Sequence, residues 1–117
     1  EVKVTLKAAR QKYPDKKIVA VFQPHTFSRT QEFKDDIAKV LSNADASYVL
    51  DIFPAREKQE DYPLVTSESI IKETSNCNAI NDENWDQLKQ YNEDAVVIFM
   101  SPKEIKLMQN YKEYLKN

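Results

Sequence analysis

Two kinds of apolar pattern take turns along this 117-residue chain, and their alternation limits its fold more than any other feature. Val2, Leu6, Ala9 and Tyr13 recur at helical spacing, which predicts a helix over 2–13 ended by Pro14-Asp15. Lys17 to Phe22 is apolar on both faces, as in a covered parallel strand. A helix is predicted from Arg29 to Ser42, with Phe33, Ile37, Val40 and Leu41 inward, and a second strand over Tyr48–Ile52. A polar loop over 53–64 leads to a short helix through Thr74, capped by Thr66 or Ser67. Asn78–Ile80 reads as a short strand, and Glu83–Tyr91 as a helix with Trp85 and Leu88 inward. Ala95–Met100 is the clearest strand of all. The last helix is predicted from Pro102 to Leu115, with Ile105, Met108, Tyr111 and Leu115 on one face. Helix and strand alternate strictly, so the prediction is one α/β domain over 1–117. Its mostly parallel sheet has about four strands with helices on both faces.

Composition narrows the function classes. The formal charge of −2, from 17 basic and 19 acidic residues, gives no basic stripe and no reason to expect nucleic acid. No apolar run approaches the length of a membrane span. The start, Glu1-Val2-Lys3-Val4, lacks the marks of a signal peptide and an initiator Met, which points to a fragment or a processed chain. One cysteine, Cys77, and one histidine cannot build a zinc or iron–sulfur site, so no metal is expected. Cys77 reads as a small buried apolar residue. One count is abnormal: the chain has no glycine. Ordinary usage would supply roughly eight, and chance absence is on the order of one in a few thousand chains.

Three turns are candidates for chemistry. Phe22-Gln23-Pro24-His25-Thr26-Phe27-Ser28-Arg29-Thr30 joins a strand to a helix, where α/β folds place their sites. Ser28, Arg29 and Thr30 would start that helix, whose free N–H groups and dipole favour an anion. Arg29 could grip a carboxylate or phosphate, and His25 could donate a hydrogen bond or carry a proton. The plainer alternative is that Thr26 or Ser28 caps the helix beside an ordinary loop histidine. The second turn, Asp51 to Lys58, offers Asp51, Arg56 and Glu57 as cleft-lining groups or as a solvated loop. The third, Ser101-Pro102-Lys103-Glu104, reads as a capping box with proline at the first helical position. A triad of Ser28, His25 and Asp51 can be drawn on paper, but no nucleophile-elbow pattern accompanies it.

Val19 to Thr30 resembles the Mur ligase family, in its C-terminal domain. The resemblance continues through Leu6-Lys7-Ala8-Ala9-Arg10, Asp51-Ile52-Phe53-Pro54-Ala55-Arg56-Glu57-Lys58 and Val65-Thr66-Ser67. It implies a Rossmann-like three-layer domain of a cytoplasmic, ATP- and Mg-dependent carboxylate–amine ligase of peptidoglycan synthesis. His25 and Arg29 match family positions that face the incoming amino acid and the reacting phosphate. The family's N-terminal, sugar-binding and central, nucleotide-binding domains have no counterpart in this sequence, so no cofactor is expected for the isolated chain.

The departures from the family concern glycine. The family's glycine-rich turn after the last strand is Ser101-Pro102-Lys103-Glu104 here, and its glycine before Val65 is Leu64. The junction at Asn76–Asn78 also lacks glycine. Replacing glycine lowers the entropy of the unfolded chain and favours stability over function. The leading reading is therefore a redesigned, recombinant, stand-alone domain without catalysis of its own. An excised natural ligase domain and a small-anion-binding module are the rivals. If the chain is a stabilised redesign, its thermal midpoint should lie above the mesophile range of about 45–65 °C. A calorimetric scan inside that range counts against redesign.

Overall fold

A computed structural model describes residues 2–91 and 93–116. Its four-stranded, all-parallel sheet runs in the order β3-β2-β1-β4, with β1 Lys17–Phe22, β2 Ala46–Val49, β3 Cys77–Ala79 and β4 Ala95–Met100. The helices are α1 Val2–Lys12, α2 Phe27–Leu41, α3 Glu68–Ile71 and α4 Lys106–Lys116, with 3-10 turns at Gln59–Asp61 and Trp85–Gln90. The fold is the predicted α/β three-layer arrangement.

Successive strand residues point to opposite faces, so β1 feeds two cores. Val19 and Val21 join Tyr48, Leu88, Leu107 and Tyr111 under α4 and the second 3-10 turn. Ile18 and Ala20 join Leu6, Ala38, Leu41 and Ile70 under α1, α2 and α3. Tyr48 binds the 3-10 turn back to the sheet: its hydroxyl lies 2.8 Å from that of Tyr91 and accepts from Gln90 Nε2. Burial pushes the Tyr48 phenol above its usual range, and does the same to the Cys77 thiol.

Several expected boundaries shift. Helix α2 begins at Phe27 rather than Arg29. Its core arc is Phe27, Thr30, Ala38 and Leu41, while Ile37 and Val40 are half-buried and Phe33 is 44% exposed. Phe33 lies one step of helical rotation off that arc, beyond the edge of the core. Strand β2 begins at Ala46, because Ala46 and Ser47 fit their register against Val19 and Ala20 despite weak strand propensity. Leu50 and Ile52 are buried past the strand's end. The short strand is Cys77–Ala79, one residue earlier than expected. The predicted Glu83–Tyr91 helix is a 3-10 turn, since Asn81 and Asn84 bond each other's main chain and use up its first residues. Helix α3 ends at Ile71, and neither Thr66 nor Ser67 caps it with a side chain; Ser69 Oγ instead accepts from the Thr66 N–H.

The capping box at Ser101 is overturned. The Ser101 hydroxyl donates to the Lys103 carbonyl within its own turn, and α4 starts at Lys106. Buried Ile105 thus precedes the helix, and its inner residues are Leu107 and Tyr111, with Met108 half-buried and Leu115 60% exposed. The four residues from Ser101 are an open turn at the end of β4, not a helix start.

At the opposite end of the sheet, Asp45 joins three segments. It accepts from Ile18 N at 2.7 Å and from Arg10 Nη1 at 3.0 Å, and its carbonyl accepts from Asn76 Nδ2. The Ile18 N–H, helped by Arg10, holds its carboxyl below the usual carboxylate range. A depressed folded pKa stabilises above the unfolded value, near 3.9, and this support is lost as pH falls through the folded value. The Arg10 pair is exposed and screened, so most of the effect rests on the Ile18 bond. Asp45→Asn should cost about 1 kcal/mol at pH 7 and flatten the acid limb of the stability curve. Urea titrations at pH 7 and pH 3 measure both.

Candidate functional site

Strand β1 lies between β2 and β4, so the chain moves to one side of β1 first and returns to the other later. Parallel sheets bind ligands outside the carboxyl ends of the strands at such a reversal. A cleft of about 670 Å³ opens there. Gln23, His25 and Arg29 supply its polar groups; Phe22, Phe33 and Met100 supply apolar wall, closed on one side by Val2 and Thr5 of α1 and on another by Ser101 and Pro102.

The ladders of β1 with both β4 and β2 continue past the sheet and set the loop. Gln23 N donates to Met100 O at 2.9 Å, and Gln23 Nε2 to Asp51 O at 3.2 Å. Phe53 N donates to Pro24 O and Thr26 N to Phe53 O, both at 2.8 Å, so His25 and Phe53 form a parallel bridge. Their rings stack with centroids 5.9 Å apart. Lys103 Nζ lies 4.7 Å from the Phe53 centroid, tying the turn after β4 to the same assembly.

Thr26 is the N-cap of α2: its Oγ1 accepts from Arg29 N at 3.3 Å. Its carbonyl accepts from Thr30 N at 3.2 Å and Thr30 Oγ1 at 2.7 Å. Its backbone sits at φ 66° and ψ 151°, at the border of a region that is essentially glycine's, and a β-branched residue there is strained. Glu57 completes the cap by accepting from Ser28 N at 2.9 Å and from the Ser28 hydroxyl. The hydroxyl bond, then the N–H bond, hold the Glu57 carboxyl below its usual range, and His25 adds to the effect. Of the two readings of this helix start, an anion site or a self-capped turn, the second holds at Ser28 and Thr26: the protein's own Glu57 carboxylate and Thr26 hydroxyl fill it.

The expected site residues separate accordingly. His25 and Arg29 are exposed and face the same cleft. Ser28 turns to Glu57, which withdraws it from the paper triad. Asp51 is exposed beside a smaller recess with Phe27 and Gln59, and Arg56 is exposed in the loop beyond. Sequence reasoning gave Gln23 no role of its own within the candidate turn and missed Met100, although both cleft positions follow from their place at the ends of β1 and β4. An exposed guanidinium and an imidazole against an apolar wall suit a small ligand carrying a carboxylate or phosphate.

No protein-family model matches the chain. It is 48% identical over 106 residues to the UDP-N-acetylmuramate–L-alanine ligase of Lacticaseibacillus casei strain BL23. The same values hold for the enzyme of that name from Lacticaseibacillus paracasei strain ATCC 334. Each match covers 90% of this chain and 23% of the relative, so the chain spans about a quarter of the length of these curated relatives, in their C-terminal region.

The Thr26 strain has a measurable consequence. Relief of about 1–3 kcal/mol, less about 1 kcal/mol for the freedom glycine gains on unfolding and a few tenths for the lost Thr26 Oγ1 cap, leaves Thr26→Gly up to roughly 1 kcal/mol more stable than the parent. Urea unfolding at pH 7 reads this directly; a less stable variant would mean that Thr26 is not strained.

Proposed function

We propose, for a chain that belongs to the Mur ligase family as its C-terminal domain, that it is the amino-acid-substrate domain of a cytoplasmic UDP-N-acetylmuramate–L-alanine ligase. In the assembled enzyme, ATP activates a carboxylate as an acyl phosphate. The neutral amine of the amino acid would then attack the carbonyl carbon, the C–O bond to phosphate breaks as the amide bond forms, and the amine gives up a proton to a base or to the departing phosphate. The observation that carries this reading is the joint exposure of His25 and Arg29 in the cleft between β1 and β4. Arg29 offers two parallel N–H donors to a carboxylate or phosphate, and His25 offers a donor or a proton acceptor beside it. Phe33 and Met100 form an apolar wall against which a small side chain can pack.

The groups that would hold nucleotide and magnesium are assigned to the rest of the enzyme. Among the described residues no cluster of three or more His, Cys, Asp or Glu comes together. The N–H groups at the start of α2 that bond Thr26 and Glu57 are unavailable to a phosphate. In this reading the isolated chain binds and orients the amino acid, and catalysis belongs to the assembled enzyme.

The glycine-free sequence favours a second reading, redesign for stability. Two features weigh against it. The cap that redesign was expected to install after β4 is an open turn. Thr26, Ala55 and Asn76 also hold positive φ without glycine, which an idealised sequence avoids. An excised domain accommodates both features.

Joined to the first two domains of a family ligase, this chain should restore ATP-dependent amide formation with L-alanine. Arg29→Ala in that chimera should lower kcat/KM by about 100-fold, from loss of a charge-assisted contact. A folded but inactive chimera would sink the assignment, and amino-acid-dependent ATP hydrolysis by the chain alone would sink its non-catalytic part.

A further inference from the structure

We propose that Glu57 is a positioning residue, whose grip on Ser28 holds the strained His25–Arg29 segment in place over the cleft; its relevance to ligation rests on the function proposed above. A residue at strained φ and ψ persists only where its surroundings fix it from both sides. On the N-terminal side, Thr26 N is held by the Phe53 carbonyl. The bonds that Thr26 makes to Arg29 and Thr30, and the 3.5 Å contact of its hydroxyl with that of Ser28, lie within its own helix start and would move with it. Ser28 is where that helix start is bonded to another segment, through two hydrogen bonds to one carboxylate. Phe53 and Glu57 belong to the same loop after β2, so one loop holds both ends of the strained turn. His25 and Arg29 flank the held residues, and both reach the cleft.

Phe27 provides a competing anchor, since it is buried and stacks on Tyr62 with centroids 6.0 Å apart. A double-mutant cycle separates the two. If Glu57 maintains the strain, the turn relaxes in Glu57→Ala, and Thr26→Gly then has less strain to relieve. The stability gain from Thr26→Gly should shrink by about half or more in the Glu57→Ala background. Backbone amide resonances of 25–29 should move in Glu57→Ala while those of Val19 and Val21 stay. Glu57→Gln retains an acceptor for the Ser28 N–H and should keep the parent resonances. It also serves as the folded comparison if the alanine variant does not fold, and its Thr26→Gly gain should then match the parent's.

Additive effects of the two substitutions, or unmoved 25–29 resonances in Glu57→Ala, would assign the strain to Phe27 packing and overturn the proposal. So would a Thr26→Gly gain in Glu57→Gln that differs from the parent's. In the chimera, Glu57→Ala should raise KM for L-alanine more than tenfold with KM for ATP unchanged, and Glu57→Gln should recover most of it; equal rises in both constants would also count against positioning. Coupling in the isolated chain beside an inactive parent chimera would leave the Glu57 role standing and remove the ligase assignment. An active chimera with additive effects would do the reverse.

Discussion

Ile18, Val19, Ala20 and Val21 pass through the middle of the sheet, each at 1% exposure or less. Strand β1 is bonded to β2 on one edge and β4 on the other, and it divides its side chains between the two cores. Every other element is placed with respect to it. The strand has no solvent-facing side, so its two ends are where polar main-chain groups must find partners outside the sheet. Those two ends are where the informative side chains gather. Asp45 meets the start of β1, while Gln23, His25 and Thr26 leave its finish.

A chain without glycine must still turn. Among the described residues, Thr26, Ala55 and Asn76 take positive φ. Asn76 is a type that tolerates this region, and its side chain is used again on the Asp45 carbonyl. Ala55 is exposed and sits in the loop that carries Phe53 and Glu57. Thr26 is the least favourable of the three, and it adjoins the exposed histidine. Of the three places where the family resemblance suggested lost glycines, the junction at Asn76 takes positive φ, while Leu64 and the turn after β4 do not. Positive φ without glycine therefore strains the backbone at few positions, and the main one, Thr26, adjoins the candidate site.

The sequence was most legible where burial is uniform. Strands β1 and β4 have the bounds expected from their apolar runs, and the parallel sheet follows from alternation. It was least legible where short polar side chains choose among local partners. Ser101, Pro102 and Glu104 fit a capping pattern, yet Ser101 bonds within its turn and buried Ile105 delays the helix. Phe33 has the spacing of a core residue and lies at the cleft instead. Glu57 could be placed only once the loop after β2 was known to run beside the start of α2. That contact spans 29 positions, and no periodicity carries it.

Asp45 and Glu57 do related work at opposite ends of the sheet. Each carboxylate accepts a main-chain N–H that regular structure leaves open, and each is held below the ordinary carboxylate range by doing so. They differ in what they restrain. Asp45 closes an unstrained junction, so its bonds add to stability. Glu57 closes a turn that contains the Thr26 distortion, so part of its interaction offsets strain. A fold can tolerate such a turn when the strand leading into it is fully satisfied along both edges, as β1 is. The rigid strand and the two-ended grip on the turn then act together: the first fixes where the segment leaves the sheet, and the second fixes the direction in which His25 and Arg29 face.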